Sequence, residues 1–209
     1  MKSGTKVALV VIFAIVAGLG LLVGGGGYFV YYGGFGSTLK SSAAPITMHN
    51  AAALNTHYYV DRIWQCRMRF PKGKFDVSPE SATEANGGFQ VQCEGCNFTI
   101  LQSTRGFRSF EAFVSSNKTG ILHASSLKDV HIVQEGRTTI NGLPGYVLDI
   151  TCTVMGIEIH ECMVLLDAGD KRVYLIVGAC ASDKWPLHAD AVQSCISTFQ
   201  VGDFPEDPN

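Results

Sequence analysis

The sequence predicts an α+β domain with a central antiparallel sheet, preceded by one apolar N-terminal segment. Extended segments joined by short turns favour antiparallel pairing, and helical patterns at two separated places favour the α+β class. The apolar segment is predicted from the charge distribution. No charged residue lies between Lys6 and Lys40, although charged residues make up 16% of the 209-residue chain.

The first element, residues 1–36, is predicted to be a transmembrane anchor. A helix over residues 7–32 would rise about 39 Å, more than the roughly 30 Å thickness of a bilayer core. Lys2 and Lys6 precede the helix, so the positive-inside rule places the N-terminus in the cytoplasm. We therefore expect a single-pass protein of the cell membrane that contacts the lipid bilayer through residues 7–32. Its C-terminal domain would be extracytoplasmic, in a periplasmic, extracellular or lumenal space.

A cleaved signal peptide is the alternative for the same segment. Its apolar core would be Val7–Val23, with cleavage at residues 34–36 or 41–44. This 17-residue core is longer than the roughly 7 to 15 residues typical of signal peptides, which favours the uncleaved anchor.

Four consecutive glycines follow the apolar core: Gly24, Gly25, Gly26 and Gly27. Small residues allow transmembrane helices to approach closely, so these glycines are candidates for a packing face against a partner helix. The alternative interpretation is a small-residue end to the anchor with no partner.

Residues 37–57 are predicted to be a flexible tether, because the stretch from Ser37 to Asn50 is small and polar and contains Pro45. The domain then covers residues 58–209. Beyond Lys6 the chain has 14 basic residues and 18 acidic ones, a net charge of about −4. This balance argues against a nucleic-acid partner, which requires a basic surface.

The first half of the domain is predicted to contain extended segments and one helix. Residues 67–78 form a short strand, a turn at residues 71–74 and a second extended piece. Residues 89–93 and 98–101 are extended on either side of a turn at Glu94 and Gly95. Ser109 is expected to cap a helix that ends near Leu122.

The second half is predicted to contain four strands and a final helix. The strands cover residues 130–137, 142–154, 157–166 and 172–179. Asp183 is expected to cap the helix, with Pro186 in its first turn. Five residues give this helix an apolar face that closes against the sheet: Trp185, Val192, Cys195, Ile196 and Phe199.

The turn at Met155 and Gly156 predicts a register. A two-residue turn places Cys152 opposite Ile159 and Cys162 opposite Asp149, and it separates apolar from polar side chains on the two faces. A three-residue turn would place Cys152 opposite Cys162 but would mix the two kinds of residue. In the favoured register, we expect Cys195 to meet Cys180 or Cys152.

Seven cysteines follow the anchor: Cys66, Cys93, Cys96, Cys152, Cys162, Cys180 and Cys195. In an oxidising compartment we expect disulfides, with one thiol left over. Cys93 and Cys96 form a CxxC pair with strand-like flanks, which favours structural disulfides that involve Cys66, Cys93 and Cys96. A thiol redox function is the alternative. A zinc site is not favoured, because the chain contains no second CxxC pair.

Catalytic, cofactor and metal sites are not predicted. The chain contains no GxSxG, no HExxH and no glycine-rich phosphate loop. His160, Glu161 and Cys162 are consecutive, but neighbouring strand residues point to opposite faces and so cannot form one site. We interpret the three as a solvated strand edge.

Four stretches resemble the PsbP-like family, in order along the chain. They are RFPKGKFDVS at Arg69–Ser78, INGLPGYVLDIT at Ile140–Thr151, RVYLIVGA at Arg172–Ala179 and SCISTF at Ser194–Phe199. The resemblance implies an α/β/α sandwich and a role in binding or assembly more than in catalysis. The anchor and the cysteines depart from the family pattern. Within the second stretch, Asn141 and Gly142 are typical of a tight turn.

These observations predict a membrane-tethered, extracytoplasmic binding or assembly module. It would be a non-catalytic accessory subunit or partner-binding protein without a cofactor. The alternative from another class is a thiol redox protein that uses Cys93 and Cys96. A third hypothesis is a structural subunit docked through its glycine-rich transmembrane helix.

Overall fold

The computed structural model describes residues 45–48, 56–62, 64–71, 75–77, 88–93, 96–104 and 109–205. The predicted anchor, its four glycines and most of the tether lie outside the described residues. Within the described ranges, no helix has both the length and the apolar character needed to cross a membrane.

Over the residues that the structure describes, the domain consists mainly of antiparallel sheet and has two helices. Its strands are β1 (Thr56–Asp61), β2 (Cys66–Pro71), β3 (Phe75–Val77), β4 (Gly88–Cys93), β5 (Cys96–Thr104), β6 (Lys128–Ile140), β7 (Leu143–Val154), β8 (Ile157–Asp167), β9 (Arg172–Ala181) and β10 (Gln200–Val201). The helices are α1 (Phe110–Leu122) and α2 (Trp185–Ser197). Seven strands form the large sheet in the order β3-β4-β5-β9-β8-β7-β6, and a small sheet has the order β1-β2-β10.

The large sheet is covered on both faces. On one face α1 contributes Val114 and Ile121 to a buried cluster with alternate residues of β7, β8 and β9, which we call the α1-side cluster. On the other face α2 contributes Val192 and Ile196 to a second cluster, the α2-side cluster. The small sheet packs in this second layer through inward side chains of β2, and Phe70 of β2 meets Phe98 of β5 edge to face at 5.6 Å.

The predicted β7–β8 register is confirmed. Cys152 pairs with Ile159, and Cys162 pairs with Asp149. Met155 and Gly156 form the two-residue turn with φ angles of 52° and 83°. Positive φ at both positions characterises the type I′ turn, whose twist matches that of the flanking strands.

The sequence predicts Ser109 and Asp183 as the N-caps of the two helices. The Ser109 side chain accepts a hydrogen bond from the Ala112 amide at 3.2 Å, so the predicted cap of α1 is confirmed. The predicted cap of α2 is wrong by one residue, because Lys184 and not Asp183 occupies the N-cap position, and its side chain forms no capping bond. Pro186 in the first turn has no amide hydrogen to be capped, which reduces the need for a capping side chain.

The β6–β7 turn also holds the end of α2. Asn141 and Gly142 adopt φ angles of 48° and 84°, which confirms the predicted tight turn. The Asn141 side-chain amide donates to the carbonyl oxygens of Ser197 at 3.1 Å and Phe199 at 2.8 Å. This asparagine therefore connects the central sheet to the segment that leads from α2 into β10.

Part of the predicted tether packs against the domain. The Ile46 amide donates to the Arg137 carbonyl of β6 at 2.8 Å, and the Thr138 hydroxyl donates to the Ile46 carbonyl at 2.7 Å. Met48 is buried in the α2-side cluster. The chain is thus attached to the β6 edge of the sheet before β1 begins.

Candidate interaction surface

The outward face of the small sheet carries two arginines. Cys66, Met68 and Phe70 of β2 are completely buried, whereas Arg69 between them is exposed and Arg67 is half-buried. Because successive strand residues point to opposite faces, Arg67 and Arg69 share the face that is turned away from the core.

Both guanidinium groups lie over the same aromatic ring. The guanidinium carbon of Arg67 is 4.2 Å from the centroid of the Tyr58 ring, and that of Arg69 is 4.3 Å from it. Arg67 also lies over the ring of Phe204, at 4.1 Å. Contacts of this kind are attractive, because the face of an aromatic ring is electronegative.

Hydrogen bonds fix the backbone and side chains around these contacts. The Arg67 Nε donates to Gln200 Oε1 at 2.7 Å, and the Arg69 amide donates to Thr198 Oγ1 at 2.8 Å. Beyond β10, the Gly202 amide donates to the Gln65 carbonyl at 2.8 Å. A Cβ atom at position 202 would lie 3.1 Å from Phe204 Cζ, so glycine allows the Phe204 ring to pack close to its own backbone.

Neither arginine is neutralised by a carboxylate within the described chain. Asp61, at the end of β1, is buried, and its carboxylate accepts the Trp64 amide at 2.9 Å. Elsewhere basic residues do have acidic partners, as in the Lys118–Glu135 ion pair at 2.7 Å. We call the group formed by five residues the arginine–aromatic surface: Tyr58, Arg67, Arg69, Gln200 and Phe204.

The cysteines that the sequence singled out are mostly in the interior. Six of them have described side chains, and all six are buried: Cys66, Cys96, Cys152, Cys162, Cys180 and Cys195. Four are free thiols: Cys66, Cys152, Cys162 and Cys180. Burial raises the pKa of Cys66 and Cys162, and it raises that of Cys152 to about 12 with a further contribution from the Glu161 carboxylate. These thiols therefore stay protonated at neutral pH and are poor nucleophiles.

Cys195 lies on the α2 side of the sheet. Of the two partners expected for Cys195, Cys152 is excluded, because it belongs to the α1-side cluster and the sheet separates it from Cys195. Cys180 lies opposite His160 in the β8–β9 pairing and so shares its face of the sheet. The disulfides expected of an oxidising compartment stay a prediction.

The CxxC pair closes a hairpin. Cys93 of β4 pairs directly with Cys96 of β5, as the predicted turn at Glu94 and Gly95 requires, and Cys96 in turn lies opposite Cys180 of β9. In thioredoxin-like proteins, the N-terminus of a helix lowers the thiol pKa of such a pair. Here both cysteines lie on strands.

The interpretation of residues 160–162 as a solvated strand edge is wrong. His160 and Glu161 are each 7% exposed and Cys162 is 1% exposed, because β8 is an interior strand covered on both faces. Their alternation between faces is confirmed. Glu161 lies between Ile150 and Ala179 in the register, both of the α1-side cluster, while His160 and Cys162 face the α2 layer.

His160 forms a buried pair with Asp149. Its Nε2 atom lies 2.5 Å from Asp149 Oδ1, and the Trp185 ring stacks on the imidazole at 4.0 Å between ring centroids. Buried ionisable groups require a partner of this kind, and the ring of Trp185 covers the pair. Within the described residues, no group of three or more His, Cys, Asp or Glu side chains is placed to hold a metal ion.

Glu161 is a buried carboxyl without such a partner. It forms no ion pair or side-chain hydrogen bond among the described residues, and burial raises its pKa to about 7. The surroundings of Glu161 therefore favour the uncharged form of its carboxyl. On the other face of β8, His160 has the Asp149 carboxylate as a partner.

Sequence reasoning missed the arginine–aromatic surface. The signal in the sequence is the alternation of Arg67 and Arg69 with three apolar residues of β2, which indicates two cations on the outer face of a strand. The rings of Tyr58 and Phe204 come from positions 146 residues apart, so no local pattern could predict their meeting.

Comparisons with known proteins show the fold. No family model matches the sequence, and no curated protein sequence matches it. The solution structure of cyanobacterial PsbP (CyanoP) from Synechocystis sp. PCC 6803 matches with a TM-score of 0.53 and 12% identity, over 81% of this chain and 99% of that one. The crystal structure of the Ran-binding protein Mog1p from Saccharomyces cerevisiae matches with a TM-score of 0.52 and 10% identity, over 72% of this chain and 97% of that one. The chain thus has a PsbP/Mog1-like fold.

Proposed function

We propose that the protein is a non-catalytic binding or assembly module that contacts a protein partner through the arginine–aromatic surface. The observation that carries this proposal is the placement of Arg67 and Arg69 over aromatic rings, with no carboxylate to neutralise them among the described residues. Arginine, tyrosine and phenylalanine are enriched at protein–protein interfaces, and arginine and tyrosine dominate their binding energy.

The rigidity of this surface supports the proposal. A side chain that is immobilised on binding costs about 0.5 to 1.5 kcal/mol of conformational free energy. Arg67 is already held by the Gln200 amide oxygen and by two rings. Most of that cost is therefore met during folding, before a partner arrives.

The fold is compatible with this role. The yeast protein of similar fold is named for binding Ran, which makes it an example of a binding protein on this architecture. A shared fold does not by itself transfer a partner, so the partner of this chain has to be identified from its own surface.

We further propose that residues 7–32 anchor the module in the cell membrane and that the domain is extracytoplasmic. The support is the uncharged stretch between Lys6 and Lys40 and the two lysines that precede its apolar part. A partner would then be a component of a membrane complex, and the protein would act as an accessory subunit.

Site-specific photo-crosslinking in the native membrane tests the binding proposal. A photoreactive phenylalanine analogue would replace Asp203, an exposed residue beside Phe204, or Lys128, an exposed residue at the start of β6. We expect a discrete adduct from position 203, its loss in the Arg67→Gln/Arg69→Gln double variant, and no such adduct from position 128. An adduct of equal yield with and without the two arginines would contradict the proposal.

A thiol redox function is the second candidate, because three cysteines occupy one row of the large sheet. Cys93, Cys96 and Cys180 are consecutive partners across β4, β5 and β9. The rate of alkylation of Cys93 as a function of pH measures its thiol pKa. A value well below that of free cysteine would favour this candidate, and a value near about 8.5 would exclude it.

A further inference from the structure

We propose that the arginine–aromatic surface recognises an extended acidic segment of a protein, with carboxylates at alternate positions. This inference rests on the proposed binding function and adds the chemistry of the partner.

The spacing of the arginines selects the spacing of the ligand charges. Arg67 and Arg69 are two residues apart on β2, so their backbone positions are separated by about 6.8 Å at 3.4 Å per residue. A peptide in extended conformation has the same repeat, and its side chains at positions i and i+2 point to the same side. Two carboxylates at such positions can therefore face the two guanidinium groups together.

The charge balance of the site favours anions. The guanidinium carbons of Arg67 and Arg69 lie 4.2 and 4.3 Å from the centroid of the same tyrosine ring, and two positive charges held over one ring repel each other. Asp203 precedes Phe204 in the sequence and is exposed. Among the described residues, it forms no ion pair with Arg67 or Arg69. Binding of two carboxylates would replace this repulsion with two attractive pairs.

The shape of the arginine side chain favours carboxylates in particular. A guanidinium group presents its N–H donors as a planar fork that matches the two oxygens of a carboxylate. The Arg67 guanidinium lies over the rings of both Tyr58 and Phe204, which restricts its orientation. The Nε donor is already used by Gln200, so the terminal nitrogens remain to contact the ligand.

The net charge argues for a protein segment and against an anionic lipid surface. Beyond Lys6 the chain has 14 basic and 18 acidic residues, so a broad anionic surface would repel most of the molecule. Recognition of acidic lipids usually needs clusters of about 4 to 8 basic residues, whereas this surface presents two. A short segment can reach two cations without contacting the rest of the domain.

Two labelled peptides of identical composition test the spacing. One alternates glutamate and serine over eight residues, and the other has the same four glutamates in one block. The full chain, purified in detergent, is titrated into each peptide and fluorescence anisotropy is measured. We expect saturable binding of the alternating peptide, at least 3-fold tighter than binding of the block peptide.

Matched variants assign the binding to this surface. We expect Arg67→Gln/Arg69→Gln to weaken binding of the alternating peptide at least 10-fold, and Arg67→Lys/Arg69→Lys to weaken it by a smaller factor, because lysine keeps the charge but loses the fork. Lys128→Gln removes one exposed positive charge elsewhere and should leave binding within 2-fold. Arg69→Gln alone, at an exposed position, keeps the test valid if the double variant fails to fold.

Three results would overturn the inference. They are equal binding of the two peptides, equal weakening by Lys128→Gln, and arginine-dependent binding to vesicles of phosphatidylglycerol and phosphatidylcholine without binding of the alternating peptide. The proposed binding function would survive the first two if the crosslinked adduct at position 203 still depended on the arginines. Loss of that dependence would reject the proposed function itself.

Discussion

At the scale of single residues, β8 shows two solutions for a buried ionisable side chain. His160 is satisfied by the Asp149 carboxylate and covered by Trp185. Glu161, the next residue, faces the α1-side cluster, where Ile150 and Ala179 are its register partners. Because no cation or donor compensates it among the described residues, the structure has to keep Glu161 uncharged or bear the cost of its charge.

Glu161 should make the protein less stable as the pH rises. Its pKa is about 7 in the folded state and 4.5 in the unfolded chain, so the folded state binds more protons between these values and the free energy of unfolding falls as pH rises through them. At 1.36 kcal/mol per pH unit, the loss is on the order of 3 kcal/mol and is complete above about pH 8. We expect Glu161→Gln to stabilise the protein at pH 8 by about 1 to 3 kcal/mol and to have little effect at pH 4.5.

Urea unfolding at the two pH values measures this difference. Glu158→Gln is the matched control, because Glu158 is an exposed carboxylate on the same strand. A stabilisation by Glu161→Gln that was equal at both pH values would contradict the assignment of the effect to ionisation.

Individual residues also show why the arginine–aromatic surface was not predicted. The cysteine positions are visible in the sequence, and their pattern draws attention to thiol chemistry. Burial, which makes Cys66, Cys152 and Cys162 poor nucleophiles, is decided by the tertiary structure. Conversely, Arg67 and Arg69 form an unremarkable pattern until Tyr58 and Phe204 are brought to them.

At the scale of elements, local signals predicted well wherever a turn or cap fixed the geometry. The Met155–Gly156 turn determined the pairing of β7 with β8, and Ser109 marked the start of α1. β1 and β10 were not predicted. β10 has only two residues, too few to show a period, and β1 overlaps the predicted end of the tether; both strands pair with β2.

The β7–β8 turn offers a stabilising substitution. Met155 is 79% exposed and has a φ angle of 52°, a conformation that asparagine tolerates better than methionine. We expect Met155→Asn to raise the free energy of unfolding by about 0.5 to 1 kcal/mol, measured by urea denaturation. Met155→Ala removes the same exposed side chain without this preference and should change stability much less. Equal effects of the two variants would show that the turn conformation is not the cause.

The contact between α2 and the sheet depends on a glycine in β9. A Cβ atom at Gly178 would lie 2.4 Å from Val192 Cγ1 and 3.1 Å from Phe98 Cε1. We expect Gly178→Ala to destabilise the protein by about 1 to 3 kcal/mol through overpacking. Val192→Ala removes the clashing methyl groups, so the double variant should be more stable than the sum of the two single effects predicts. Additive effects in thermal or urea unfolding would contradict this packing.

At the scale of the whole molecule, the fold separates two tasks. The large sheet, closed by α1 and α2, supplies most of the buried core, and the small sheet adds the inward side chains of β2 with Tyr59 and Val201 packed against them. Its outward face is therefore free to carry charge. The α+β class and the antiparallel sheet were predicted from the sequence, but the division into two sheets was not.

The membrane anchor is tested on the full chain in its native membrane. We expect the protein to remain in the membrane pellet after alkaline carbonate extraction, and a variant without residues 1–36 to be released. Intact-mass measurement separates the anchor from a cleaved signal, because cleavage at residues 34–36 or 41–44 would remove the whole apolar core Val7–Val23. A mature chain that lacks this core would contradict the anchor.

The attachment of Ile46 to β6 limits the distance between the membrane and the domain. With residues 7–32 as the proposed span, residues 33–44 are all that separates the bilayer from the first residues packed on the domain. Twelve residues reach at most about 43 Å when fully extended, at 3.6 Å each. If both proposals hold, the height of the arginine–aromatic surface above the lipid is bounded by this linker length plus the size of the domain, and an acidic segment held higher would be out of range whatever its affinity.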